Sequence, residues 1–185
     1  MSTDDFARTV GDASDRDPQR CHGELLPGIN LLGMQELAAL PYSVHIAIGN
    51  NLWREREAAS WGYSRLVSLI HPGAQVSPFS AIGEGCFVAA CAVIAPSAGV
   101  GICVIANHGA VVDHDVLVGD FSHIAPNAIL GGGVKVGKRV LIGSGAVVLP
   151  GIAIADDVTV GAGAVVRTGL VEAGVYAGVP ARRIK

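Results

Sequence analysis

From Leu69 onward the apolar positions of the chain recur every six residues. Written in sixes, the stretch runs LIHPGA, QVSPFS, AIGEGC, FVAACA, VIAPSA and onward without insertion to VVRTGL. The second position of each block, from Ile70 to Val166, is Ile, Leu or Val in 16 of 17 cases, with Ala106 the exception. The sixth position is small or aliphatic throughout, from Ala74 to Leu170, and Gly, Pro, Asn, Asp and Lys gather in the other four. A helix needs an apolar spacing of 3.6 and a flat sheet a spacing of two, so a rigid six fits neither. It fits a parallel β-helix, in which each hexad supplies a short strand and a turn and three hexads close one triangular coil. The 17 hexads predict between five and six coils, with the second and sixth side chains stacked inside. The fold class expected is therefore mainly β.

The flanks read differently. In residues 1–67 the start is polar, Val44–Gly49 (VHIAIG) predicts a short buried strand, and Asn51–Gly62 (NLWREREAASWG) has helical spacing and charge. Strand then helix suggests part of an α/β, Rossmann-like unit. Residues 68–170 form the β-helix. Residues 171–185 (VEAGVYAGVPARRIK) break phase and turn basic, which predicts a cap and tail closing the open end of the coil.

Composition narrows the classes. Half of the 185 residues are hydrophobic, so a disordered chain is excluded. A net charge of −3 leaves no electrostatic footprint for nucleic acid. Cys21, Cys86, Cys91 and Cys103 form no CxxC pair, and the opening MSTDDFARTV is polar and acidic where a secretion signal is basic then apolar, so the expected location is cytoplasmic. Residues 85–107 carry no charge and are long enough to be scored as a membrane span. The hexads continue through them, so no membrane partner is expected.

The phase also sorts the histidines. His108 and His114 fall at the fourth position of their hexads and His123 at the first, so all three project outward. Each reads either as an ordinary solvent-exposed histidine or as a chemical group. Asp113 and Asp115 flank His114, and a carboxylate beside an imidazole fixes its tautomer and raises its basicity, as a general base near neutral pH requires. Three histidines within sixteen residues also invite a zinc reading. His108 and His114 fall on adjacent faces, however, and His123 lies half a coil beyond, so one chain does not converge them and no metal is expected.

The run IANHGAVVDHDVLVGDFSHIAPNAILGGGVKVGKRVLIGSGAVVLPGIAIADDVTVGAGAVV, closed by GVYAGVPARRIK and preceded by IAIGNNLWRE, resembles the hexapeptide-repeat acetyltransferases of the sialic acid O-acetyltransferase and nucleotide-aminosugar N-acetyltransferase family. The V-D-H-D run, followed eight residues after its histidine by S-H, carries the likeness most specifically. The resemblance implies a left-handed coil, which the period alone does not reveal and which departs from the usual right-handed crossover. It implies acetyl transfer from acetyl-CoA, with no metal, to an amine or hydroxyl of a nucleotide-linked amino sugar or related sugar, in bacterial surface polysaccharide or glycan biosynthesis. His114 is then the base and Asp115 its acidic support. His123 and Asn107 lie at the acetyl-CoA, and Ser144 and Ala162 lend backbone groups to it. Gly131, Gly132 and Gly133 let the pantetheine arm approach, although those glycines also read as ordinary hexad turns. Gly49 contacts the sugar substrate, and Arg167, Lys135, Lys138, Arg139, Arg182 and Arg183 are candidates for the CoA phosphates or simply solvated charge. A homotrimer with active sites between subunits follows, since His114 and His123 face opposite sides of one prism.

One departure stands out. Members of that family open with a strand and a Gly-rich loop that cradles the nucleotide; this chain has no such loop, and its ARTVGDASDRDPQRCHG resembles the second strand and acidic turn. A truncated sugar-nucleotide segment is thus expected at 1–67. Two other readings stay open: a serine or simple-sugar O-acetyltransferase, and a non-catalytic trimeric scaffold.

Overall fold

A computed structural model describes residues 11–15 and 17–185. The chain divides into two compact units, Met1–Ser43 and Val44–Lys185. In the first, β1 (Asp12–Ala13) runs parallel to β3 (Ile29–Leu31), and β2 (Glu24–Leu26) lies antiparallel on the other edge of β3. Helix α1 (Met34–Ala39) follows, its Glu36 carboxylate accepting the Gly33 N–H at 2.9 Å. The strand expected just ahead of Gly11 lies outside the described residues.

The second unit opens with a correction. Val44–Gly49 does not form a strand: Val44 alone makes a parallel bridge, to Leu66. The carbonyls of Ile48 and Gly49 are taken by the Arg54 side chain instead of a neighbouring strand. The apolar residues of VHIAIG serve packing, because Ile46 buries with Ala58, Leu66, Cys103 and Phe121 against the coil. Helix α2 (Asn51–Trp61) forms where the spacing predicts it. The Asn50 side chain caps it by accepting the Trp53 N–H at 3.0 Å, and Gly62 ends it at φ 77°.

The coil is a triangular prism of parallel strands, each pairing with the strand eighteen residues on, as Ile105 does with His123, Val111 with Ile129 and Leu117 with Lys135. Face I carries Leu69–Ile70, Phe87–Val88, Ile105–Ala106, His123–Ile124, Leu141–Ile142 and Val158–Val160. Face II carries Gln75–Val76, Val93–Ile94, Val111–Val112, Ile129–Leu130, Val147–Val148 and Val165–Val166; face III runs from Ala81–Ile82 to Ala153–Ile154. Gly174–Ala177 extends face I in parallel and Arg182–Arg183 turns back against it, with Tyr176 and Ala181 joining the core. From Cys86 onward every second- and sixth-position side chain is buried, whereas Ile70, in the first coil and stacked on one side only, is 47% exposed. Residues 85–107 are strands and turns of this coil, and among the described residues no helix is long and apolar enough to cross a membrane.

The corners depend on the fifth position of the hexad. Cys91, Ser97, Cys103, Asp115, Phe121, Asn127, Arg139 and Asp157 all stand there with φ between 51° and 61°, alternating with glycines such as Gly109 and Gly133. A left-handed residue other than glycine costs about 1–2 kcal/mol, so the stacked coils must hold these corners in place. At the corner between faces III and I the backbones also close up. A Cβ on Gly119 would lie 2.6 Å from the Gly137 backbone.

Candidate active site

The candidate residues fall on two sides of the prism. His114 and Asp115 occupy the corner between faces II and III, directly after the strand Val111–Val112. The left-handed backbone at Asp115 (φ 59°), a conformation Asp tolerates better than most residues, turns its carboxylate back onto the imidazole. His114 Nδ1 donates to Asp115 Oδ2 at 2.8 Å, and the His114 backbone N–H donates to Asp113 Oδ1 at 2.7 Å. The Asp115 hydrogen bond, then the charge of Asp113, raises the imidazole above its ordinary basicity. With Nδ1 bound to Asp115, Nε2 is the nitrogen left to take a proton. It lies over Gly132, one coil on, where a Cβ would come within 2.5 Å of Nε2. Gly132 therefore makes room for the His114 ring itself.

The other group stands on face I and the corner between faces I and II. His123 projects outward from its strand, half-buried between the Ile105 and Leu141 strands. Its Nε2 lies 3.1 Å from Asn107 Nδ2, and Asn107 Oδ1 accepts the His108 backbone N–H at 2.9 Å. Burial, then the nearby Arg54 charge, pushes His123 down to about 4. Ser144 and Ala162 stand exposed on the same corner, at the fourth position of the next two coils, and the Ser144 carbonyl accepts the Gly163 N–H at 2.9 Å. Face I lies opposite the corner that bears His114, so one chain brings Asn107, His123, Ser144 and Ala162 to one side and His114, Asp115 and Gly132 to another. Gly49 is exposed in the turn before α2, with open space where a Cβ would be.

The structure also sorts the basic residues. Lys138 pairs with Asp120 at 2.9 Å, Arg139 grips Asp157 and reaches Glu55, and Arg183 holds Glu172. Among the described residues Lys135, Arg167 and Arg182 have no carboxylate partner. Arg167 and Arg182 line a cleft of about 220 Å³ with Thr168 and Pro180. Arg167 and Thr168 sit on the corner that bears His114, three coils further along, or about 14 Å at the usual strand spacing. Among the described residues no three His, Cys, Asp or Glu side chains gather as metal ligands.

Comparison with known proteins bears on the family of the chain. The bacterial transferase hexapeptide family, of six repeats, matches residues 133–168. PerB of Caulobacter crescentus, solved with CoA and GDP-perosamine, is 37% identical over 87% of this chain and 81% of its own, with a TM-score of 0.83. The acetyltransferase domain of PglB from Neisseria gonorrhoeae is 35% identical over 89% of this chain and 83% of its own, with a TM-score of 0.82, and has been solved with acetyl coenzyme A. The chain belongs to the hexapeptide-repeat sugar acetyltransferases. WeeI from Acinetobacter baumannii, 21% identical over 92% of this chain and 84% of its own, with a TM-score of 0.69, shares the fold. The coil of this acetyltransferase is thus the left-handed parallel β-helix.

One residue of the acetyltransferase escaped the sequence reading. Arg54, in α2, is 1% exposed and the one buried charged side chain among the described residues. In NLWRERE it reads as a solvated helix charge. The signal that separates it from Arg56 is the helical phase shared with Ala58, the residue of α2 buried against the coil.

Proposed function

We propose that this acetyltransferase moves the acetyl group of acetyl-CoA to the amine of a nucleotide-linked amino sugar, in the making of a bacterial glycan and in the cytoplasm. The observation that carries the reading is the His114–Asp115 pair, an imidazole raised in basicity with Nε2 free over Gly132. Nε2 accepts a proton from the sugar amine as that nitrogen attacks the thioester carbonyl. The tetrahedral adduct collapses, the C–S bond breaks, and the imidazolium returns the proton to the departing thiolate. A thioester is already activated, so a positioned base contributing about 10²–10⁴ in rate suffices. The Arg167–Arg182 cleft, on the corner that bears His114, suits the CoA phosphates. The class of acceptor is supported by GDP-perosamine in the PerB complex.

The same reading takes the working unit to be a homotrimer with active sites between chains. Its support is the division of the candidate residues between two sides of one prism, together with the outward apolar ladder Val93, Val111, Ile129, Val147 and Val165 on face II. Gly49, with open space around it in the turn before α2, is read as the contact this chain offers to the sugar. Incubation with acetyl-CoA and a panel of UDP-, GDP- and dTDP-linked amino sugars, following CoA release, tests the function. Turnover of at least one nucleotide amino sugar, and none of serine or simple sugars, is the expected result. Release with simple sugars alone overturns the acceptor class.

A further inference from the structure

Arg54 is buried without an anion. Its Nε donates to the Cys103 carbonyl at 2.8 Å; Nη1 donates to the carbonyls of Ile48 (2.8 Å) and Gly49 (3.1 Å); Nη2 donates to Asn51 Oδ1 (2.8 Å) and the carbonyls of Phe121 (2.6 Å) and Ser122 (3.3 Å). Every N–H of the guanidinium is used, and among the described residues none of these partners is a carboxylate. Cys103 and Phe121 are stacked corner residues with left-handed backbones, so their carbonyls and those of the 48–49 turn converge on one planar fork. Burying a cation on dipoles alone is costly, but an apolar side chain in the same space would leave these carbonyls without that donor. The cation therefore does something an apolar filler does not.

Its charge also reaches His123. Ser122, whose carbonyl Arg54 holds, is joined to His123 by that very peptide group. From the other side Asn107 presents its amide nitrogen to His123 Nε2, because Asn107 Oδ1 is already committed to the His108 backbone N–H. A donor facing Nε2 requires the lone pair there, which leaves the hydrogen of a neutral ring on Nδ1. The titratable and charged groups around this corner are Arg54 and Glu55 from the helix, His45 before it, Cys86, Cys103 and Asp120 from the coil, and His108 beyond Asn107. Glu55 and Asp120 are paired with Arg139 and Lys138, and burial pushes both thiols up to about 11, so none of them neutralises Arg54.

We propose that Arg54 is a positioning residue of this acetyltransferase: holding the Phe121 and Ser122 carbonyls and the Ile48–Gly49 turn with one guanidinium, it fixes the strand end that carries His123 and adds its charge to burial in keeping that ring neutral, so that Nδ1–H is offered to the acyl donor. The inference rests on the reading that His123 meets acetyl-CoA, and it adds the device that sets the state in which it does so.

The test is nuclear magnetic resonance of the intact protein labelled with ¹⁵N-histidine, the His123 signal being assigned by its absence in His123→Gln. Wild-type His123 is expected to show a protonated Nδ1 and a bare Nε2, and to stay neutral down to about pH 5. In Arg54→Gln its midpoint rises by about one pH unit or more, and in Arg54→Lys, which keeps the cation, by less than half of that. At pH 5 a ring whose midpoint has risen to about 5 is half protonated, so KM for acetyl-CoA in Arg54→Gln rises about twofold there and matches wild type at pH 8, whereas a purely structural role lowers thermal stability with no such pH dependence. An Nε2–H tautomer, or an ordinary histidine midpoint, in the wild-type protein overturns the proposal whether or not either variant folds. An unchanged midpoint in folded Arg54→Gln overturns it as well. Failure of the acetyl-transfer reading is distinguishable, since it appears as no CoA release from the wild-type protein while the tautomer and midpoint can still be read.

Discussion

The imidazole of His114 occupies the space that a side chain on residue 132 would need, with Nε2 2.5 Å and Cε1 2.6 Å from where the Cβ would stand. Gly132 has no left-handed backbone, so alanine is tolerated there by the main chain and acts on the ring alone. Gly132→Ala is expected to swing the exposed imidazole off its position and lower kcat/KM by about 10²-fold, the usual cost of misplacing a catalytic group by an ångström. Thermal denaturation should stay near wild type. A kcat/KM within threefold of wild type overturns the placement of the base.

Asp115→Asn removes the main interaction that raises His114. A general base works deprotonated, so activity falls as pH drops through the pKa of His114, and that pKa sets the acid limb of the pH–rate profile. The variant lowers it, so the acid limb moves to lower pH while the plateau drops through loss of the tautomer. An acid limb left where the wild type has it reduces Asp115 to a corner residue.

Each of His114→Ala and His123→Ala is expected to lower kcat/KM by about two to four orders of magnitude when present in every chain. Mixing the two inactive proteins under subunit exchange should restore part of the activity, because some interfaces regain one intact copy of each histidine. Mixed trimers that form and stay inactive, or an active monomer in sedimentation, refute a site shared between chains.

Ser122 is a buried polar residue at a core position of the hexad. Its Oγ donates to the Gly137 carbonyl at 2.8 Å and accepts the Val140 N–H at 3.0 Å, and Ser68 makes the same pair of bonds, to Gly83 and Cys86, three coils earlier. Ser122→Ala leaves both backbone groups of the next coil without that partner and should cost about 1–3 kcal/mol in urea denaturation. A variant as stable as wild type means the coil closes over the gap or admits water.

The coil was legible from Leu69 to Leu170 because its pattern is local: each strand takes the same two apolar side chains inward at fixed spacing, so second-position Val112 and sixth-position Val116 needed no knowledge of their neighbours. His114 and Asp115 were legible for the same reason, being adjacent in the chain. The strand expected at Val44–Gly49 failed because apolar content announces burial without saying against what. Its partners proved to be the coil corner and the guanidinium of Arg54.

By itself, then, the sequence determined the period, the inward and outward sets, the helix Asn51–Trp61 and the outward placing of His108, His114 and His123. Only the tertiary structure decided that Arg54 is buried against carbonyls about fifty and seventy residues away, that Lys138, Arg139 and Arg183 are committed to carboxylates while Lys135, Arg167 and Arg182 have none among the described residues, and that Gly132 makes room for the ring of His114. The physical reason is range. Strand and turn preferences act within one hexad and leave a trace in its six letters, whereas a buried guanidinium, an ion pair or a glycine cleared for a ring depends on which coil lies above which, and that is fixed only when the prism has closed.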